Sequence, residues 1–253
     1  MRLTFLGTGT SQGVPVIGCP CNVCTSEDLH DKRLRSSVRI EVNGLDLVID
    51  SGPDFRQQCL RAGMNKLDGL LFTHGHKDHV AGLDDIRGFN YSMKKHVDIY
   101  SDMRVQDTLQ REFSYVFEKV KYPGVPELDM HIIENKPFNL KGVEVMPIEV
   151  QHHRLPVLGF RIGGFSYITD ANFISEKEKQ KVRGSEVLVL NALRHEAHVS
   201  HFTLAEAIQL SDELEAKQTY FTHISHQMGL HQEINQTMPA GKALAYDQQQ
   251  LEI

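Results

Sequence analysis

The sequence predicts an α/β chain built from two mixed β-sheets flanked by helices, and three observations carry that expectation. Short β-rich runs recur along the chain, from "RLTFLG" near the start to "TYFTHIS" near the end. Stretches of helical periodicity separate only some of these runs. Hairpin-like pairs such as "VRIEVNGLDLVID", with Asn43-Gly44 at the turn, break a strict strand–helix alternation and require antiparallel pairing.

In chain order, the expected strands are "RLTFLG", "VRIEV", "LDLVID", "GLLFTH", "VDIYS", "VEVMPIEV", "VLGFRI", "FSYITD", "VLVLNA" and "TYFTHIS". Their β-branched and aromatic residues suit a pleated, buried surface. Among the helices, "PDFRQQCLRAG" opens on a proline, which is tolerated at a helix N-terminus, and "MRVQDTLQREFSYVFEKV" carries apolar residues at helical spacing. "TLAEAIQLSDELEA" does likewise behind Thr203 as its cap. No low-complexity tract, linker or repeat interrupts the pattern, so residues 1–253 are expected to form one domain.

With 40% hydrophobic and 24% charged residues, the chain has ordinary soluble composition and enough apolar side chains for a sizeable core. It contains no apolar run of about 18 residues, and "MRLTFLGTGTSQG" lacks the pattern of a signal peptide. A cytoplasmic protein with no membrane partner is expected. The net charge of -6 disfavours broad neutralisation of nucleic-acid phosphates, so nucleic acid ranks below a small molecule as partner. A homodimer is left open.

Two stretches concentrate metal-binding chemistry. "LFTHGHKDH" follows an apolar strand; if the chain stays extended, His74 and His76 point to the same side and share one ion. Asp78 and His79 lie where the chain turns into a helix, aimed at a neighbouring point within reach of a second ion. Two such ions commonly sit about 3.5–4 Å apart. Further ligand types end later strands: His152 and His153, Asp170, whose two oxygens suit a bridge, and His223. The second stretch, "CPCNVC", holds Cys19, Cys21 and Cys24 too close together to staple distant segments, which favours metal over disulfides. Cys59 reads as a small buried hydrophobe.

These motifs resemble the metallo-β-lactamase superfamily, whose fold is an αββα sandwich around a dinuclear metal site. "FLGTGTSQG", "LVIDSGPDFR", "GLDDIR" and "THISHQ" resemble its phosphodiesterase branch, which includes ribonuclease Z. The resemblance is nearest to the phosphoribosyl cyclic phosphate phosphodiesterases of the carbon–phosphorus lyase pathway, because that family carries a Cys-x-Cys-x-x-Cys cluster near its start. The long Gly/Pro-rich arm expected of many tRNA-processing relatives is not evident.

The resemblance implies that His74, His76 and His152, with His153 as the alternative, hold one ion. It gives Asp78, His79 and His223 to the second ion, and Asp170 to both. It places Asp50 behind the metal turn as a hydrogen-bond acceptor, and adds His226 to the three cysteines as a closed structural zinc site. Two Zn or Mn ions would acidify a water for attack on phosphorus, with Asp78 in the catalytic centre and His201 acting on the leaving oxygen. His195 and His198 are weaker candidates for that role, and Arg87 and Arg154 are candidates to grip a terminal phosphate. The function implied is a metal-dependent phosphodiesterase for a small or cyclic phosphodiester. The alternatives are a ribonuclease Z-like tRNA 3'-processing endonuclease and a non-catalytic metal- or nucleic-acid-binding module.

Overall fold

The computed structural model describes residues 1–253. Seven strands form the first sheet: β1 (Arg2–Gly7), β2 (Ser37–Val42), β3 (Leu45–Ile49), β4 (Gly69–Leu71), β5 (Val97–Ser101), β6 (Leu128–Ile132) and, returning from the far end of the chain, β15 (Gln250–Glu252). The second sheet contains β7 (Phe138–Leu140), β8 (Val143–His152), β9 (Leu155–Ile162), β10 (Phe165–Ile168), β11 (Phe173–Ile174), β12 (Val187–Asn191), β13 (Gln218–Thr222) and β14 (Lys242–Leu244).

The two sheets repeat one plan. In the order β15-β1-β2-β3-β4-β5-β6 the pairings run antiparallel as far as β3 and parallel from β3 onward. In the order β11-β8-β9-β10-β12-β13-β14 they run antiparallel as far as β10 and parallel from there. Consequently β1, β3, β4, β8, β10 and β13 all deliver their C-terminal ends to one edge of the sandwich. Each of those ends leads into a residue of the sites described below.

Alternation of side chains along each strand sorts the apolar residues into three layers. Phe5, Ile40, Leu47, Leu158, Phe160 and Tyr167 are buried between the sheets. Leu6, Phe55, Leu70, Phe72, Ile86 and Leu109 pack the first sheet against its helices, and Ile148, Leu188, Leu190, Leu204, Leu210 and Phe221 do the same for the second. Burying each such side chain contributes about 1.5–3 kcal/mol before the entropy cost of ordering it. The order helix, sheet, sheet, helix is the αββα sandwich expected from the sequence.

The expected helices form with adjustments. Phe55–Arg61 begins two residues after Pro53. Leu204–Glu213 starts behind Thr203, whose side chain and that of Glu206 make a reciprocal capping box. "MRVQDTLQREFSYVFEKV" is not one helix: Met103–Glu112 ends at Phe113, where the backbone leaves helical geometry, and a single turn, Ser114–Phe117, follows.

Candidate metal centre

Three residues at the shared edge, Asp50, Asp170 and His223, take left-handed backbone at φ 64°, 53° and 57°. Non-glycine residues adopt that region sparingly, with Asn, Asp and His the most tolerant, and each such turn re-aims a side chain leaving its strand. The metal turn is built differently. β4 stops at Leu71, His76 remains extended at φ -69°, ψ 151°, and a short helix, Lys77–Val80, then carries Asp78 and His79. The N–H of Leu158 in β9 donates to the carbonyl of Thr73 at 3.0 Å, tying the second sheet to this turn.

The result is two clusters whose ligand atoms lie within 4.8 Å of one another: His74, His76, His152 and Asp170 in one, Asp78, His79, Asp170 and His223 in the other. Asp170 belongs to both. His74 Nε2 is 3.8 Å and His152 Nε2 3.9 Å from Asp170 Oδ2, while Asp170 Oδ1 faces His79 Nε2 at 3.4 Å and His223 Nδ1 at 3.1 Å. His79 Nε2 lies 3.2 Å from Asp78 Oδ2.

The surrounding hydrogen bonds fix how these rings present their nitrogens. His79 Nδ1 donates to Asp50 Oδ2 at 2.7 Å, so its Nε2 points into the cluster, where it is buried without a hydrogen-bond partner. Thr73 Oγ1 also donates to Asp50 Oδ2 at 2.8 Å; its oxygen then accepts from His74 Nδ1 at 3.0 Å, leaving His74 Nε2 as a lone pair. That lone pair faces His76 Nδ1 at 2.9 Å. His152 donates its Nδ1–H to the Ser200 carbonyl at 3.0 Å, which turns Nε2 toward Asp170. His223 is held between Ser36 Oγ, 3.2 Å from Nδ1, and Thr10 Oγ1, 3.3 Å from Nε2.

Electrostatics point the same way. Burial works against ionising Asp170, yet His223 and His79 hold its pKa well below the usual carboxylate range. Burial also opposes a charged His79, but Asp170, Asp78 and Asp50 outweigh it and raise its pKa well above that of an ordinary histidine. Buried carboxylates without enough positive charge around them are costly, and divalent cations supply that charge. The donor set, the orphaned His79 Nε2 and the facing nitrogens of His74 and His76 all fit a pair of such ions.

The sequence left the strand end at 152 and 153 open, and the structure orients it. His152 is the last residue of β8 and points into the cluster, whereas His153 sits in the turn at φ 57°, exposed. Asp50 lies behind the turn as the resemblance implied. His201 joins neither cluster: its ring stacks on His223 at 4.8 Å between centroids and packs on His152 at 4.7 Å. Burial and the neighbouring His223 lower its pKa to about 3. His195 is turned away, with Nε2 against the Met228 carbonyl at 2.9 Å, and His198 packs on His201 at 5.1 Å between centroids, its Nδ1 near the Ser200 hydroxyl. Arg87 pairs with Asp84 at 2.9 Å and lines a cavity bordered by no residue of the two clusters; Arg154 lies exposed in the β8–β9 turn. Sequence reasoning missed the hydroxyls of Thr73, Ser36 and Thr10 and the Ser200 carbonyl. Only Thr73, adjacent to His74, left a signal.

Beyond the same C-terminal ends of β1 and β13, Cys19, Cys21, Cys24 and His226 place their ligand atoms within 4.8 Å of one another. His226 Nδ1 is 3.4 Å from the sulfurs of both Cys19 and Cys21. Backbone N–H groups of Val16 and Cys24 donate to Cys24 Sγ and Cys21 Sγ at 3.3 and 3.4 Å, but burial pushes the Cys24 thiol up to about 11. His226 and the Cys24 N–H lower the Cys21 pKa to about 6. No cysteine is in a disulfide, and three thiols with one imidazole suit a closed tetrahedral zinc site. Cys59 is buried on helix Phe55–Arg61, where burial pushes its thiol up to about 12.

A sandwich of two sheets whose common edge carries paired His/Asp clusters joined by one aspartate defines a metallohydrolase fold. The chain belongs to the metallo-β-lactamase superfamily: residues 46–224 match the family described as Beta-lactamase superfamily domain. It is similar along its whole length to the crystal structure of a diphosphatase of the PhnP family, at 40% identity and a TM-score of 0.93, covering 97% of that chain. A protein of Porphyromonas gingivalis named octanoyltransferase is 40% identical over 250 residues, 98% of this chain but 50% of its own length, so the chain spans about half of that relative. Zinc-bound PqqB of Methylobacterium extorquens shares the fold, with a TM-score of 0.82 at 20% identity.

Proposed function

We propose that this chain is a metal-dependent phosphodiesterase that hydrolyses a small or cyclic phosphodiester. The observation that carries the reading is Asp170, whose two oxygens face two separate ligand sets across one buried carboxylate. Two divalent cations held there would supply Lewis acidity, lowering the pKa of a shared water and neutralising charge on a phosphoryl group. His74, His76 and His152 would hold one ion, Asp78, His79 and His223 the other, with Asp170 between them. Zinc and manganese both suit this mixture of imidazole and carboxylate, and the thiolate cluster would take a structural zinc.

The chain's own residues then divide the work. Asp50 fixes the tautomer and tilt of His79 and, through Thr73, of His74. His201 closes the space between His152 and His223, excludes water there, and directs an N–H of its neutral ring at the leaving oxygen. The similarity to a PhnP-family diphosphatase supports phosphorus chemistry. The activity named for the longer relative, octanoyl transfer, is that of a protein of which this chain spans about half.

The test is turnover of metal-reconstituted protein on cyclic and linear phosphodiesters alongside precursor tRNA. The reading expects hydrolysis of the small diesters. Cleavage of precursor tRNA alone would make the chain a ribonuclease Z-like nuclease, and no hydrolysis of any diester would leave a metal-binding module.

A further inference from the structure

His223 rests on two segments distant from it in sequence, and both meet on one buried carboxylate. The Thr8 carbonyl accepts the N–H of Ile224, the residue immediately after His223, at 2.9 Å, and the Thr10 N–H returns to the Ile224 carbonyl at 3.1 Å. The Leu34 carbonyl accepts the Gly9 N–H at 2.7 Å, and Ser36 Oγ donates to the Gly9 carbonyl at 3.0 Å. Thr10 and Ser36 carry the hydroxyls that flank the two ring nitrogens of His223.

Asp247, in the turn between β14 and β15, ties those segments together. Its Oδ1 accepts the Thr8 N–H at 3.0 Å and the Thr8 hydroxyl at 2.8 Å, and its Oδ2 accepts the Leu34 N–H at 2.8 Å. From the other side the buried Arg33 donates to Thr8 Oγ1 at 2.8 Å and to the Ala245 carbonyl at 2.5 Å, with Nη2 3.1 Å from His231 Nδ1. The Thr8 hydroxyl is thus a relay that accepts from the guanidinium and donates to the carboxylate. Burial opposes both charges, pushing the Asp247 carboxyl up to about 6 and the Arg33 guanidinium down to about 10. Buried ion pairs add little net stability, because desolvation offsets their attraction. A hydrogen-bonded buried network does hold the groups it touches in one arrangement.

We propose that Asp247 is a positioning residue for His223: through Thr8 and Leu34, with Arg33 behind them, it fixes the two segments on which that ring rests, although it touches no member of either cluster. The inference rests on the reading of His223 as a ligand of one exchangeable ion. Loosening the network should weaken that ion and leave the set of His74, His76 and His152 as it is. Arg61 also reaches Asp247 Oδ2, at 3.4 Å from the end of helix Phe55–Arg61, but touches neither segment and serves as the control.

The experiment titrates cobalt(II) into chelator-treated full-length protein that retains its thiolate zinc, and follows visible absorption. His223→Ala marks the binding step that belongs to the His223 ion. Thr8→Val keeps the backbone N–H but breaks the relay; it should weaken that step about tenfold, the low end for partners of metal-bound histidines, and the other step much less. Thr8→Ser keeps the hydroxyl and should bind both ions as wild type does. Asp247→Asn offers one oxygen to three donors and should weaken the same step, whereas Arg61→Ala should not; if Asp247→Asn folds poorly, the Thr8 pair decides. Ring-nitrogen NMR of the metal-free protein gives a second readout: the His223 signals should move in Thr8→Val and return in Thr8→Ser, with those of His74 and His152 unchanged. Equal loosening of both ions, no loosening in Thr8→Val, or a loss that Thr8→Ser shares would overturn the positioning role and leave the ligand reading intact. If His223→Ala weakens neither step yet the His223 signals follow the Thr8 hydroxyl, the ligand reading fails and the positioning stands.

Discussion

Asp50 accepts the Nδ1–H of His79 at 2.7 Å with both side chains closed to solvent, and the same carboxylate takes the backbone N–H and hydroxyl of Thr73 at 2.8 Å each. One residue outside both clusters thus orients a ring in each: His79 directly, and His74 through the Thr73 hydroxyl.

Replacing that acceptor should therefore weaken metal binding without removing a ligand. In Asp50→Asn the amide can accept from only one side, so the His79–Thr73 arrangement loses a partner. Affinity for the exchangeable ions should fall about 10–100-fold, as for other partners of metal-bound histidines. Competition with a chromogenic chelator measures it, and affinity within twofold of wild type would show that the ring needs no such support.

Asp170→Ala removes the oxygens facing both ligand sets, so both exchangeable ions should loosen together and diesterase activity should vanish, while the zinc at the thiolates stays. Metal analysis after gel filtration reads all three at once. Loss of one ion only, with the other retained at wild-type affinity, would refute the bridge.

Metal binding should also release protons. In the metal-free protein the carboxylates of Asp170, Asp78 and Asp50 outweigh burial and raise the His79 pKa well above the ordinary value, favouring its protonated form. An ion at Nε2 must displace that proton, so affinity should rise with pH through the neutral range and weaken as pH falls. Titration with zinc in weak buffer should acidify the solution; no proton release at pH 7 would show that His79 is neutral beforehand or is not a ligand.

In the proposed function His201 acts on the leaving oxygen, and burial sets the form that action takes. With its pKa lowered to about 3 the ring is neutral throughout the physiological range, so it donates a hydrogen bond rather than serving as a standing imidazolium. Loss of one such donor to developing charge typically costs about 10²–10³-fold in turnover. His201→Ala should show a loss of that order on alkyl diesters, a smaller one on nitrophenyl diesters, and the same pH profile as wild type between about pH 6 and 8. A declining alkaline limb present in wild type and absent in the variant would instead assign a proton donated from imidazolium.

Cys21→Ser should lower stability more than it alters the catalysis of surviving folded protein, because the cluster joins the loop at Cys19–Cys24 to His226, three residues beyond His223. Full zinc retention with an unchanged melting temperature would remove the structural role.

Much of this was legible in the sequence because metal ligands cannot be spread arbitrarily along a chain. "HGHKDH" carries its spacing openly, and Asp170 and His223 each follow an apolar strand, where a fold with aligned strand ends brings them together. The choice between His152 and His153 was not legible, since it depends on where β8 stops: the backbone enters the left-handed turn one residue after His152. Strands β6, β7, β11, β14 and β15 escaped for a related reason. β7, β11, β14 and β15 are only two or three residues long and β6 is largely exposed, and β15 exists because Leu3 finds Leu251 as its partner across the whole length of the chain. The break at Phe113 was hidden by a helical periodicity that runs through it. The supporting hydroxyls of Ser36 and Thr10 gave no signal because the fold alone places them beside His223.

The account's central claim is that phosphodiester hydrolysis depends on two exchangeable ions joined by Asp170. The most direct measurement is hydrolysis of a cyclic phosphodiester followed while zinc or manganese is titrated back into chelator-treated protein that retains its thiolate zinc. The account predicts that turnover stays near zero for the first equivalent and rises with the second. Full turnover at one equivalent, or turnover indifferent to added metal, would contradict it.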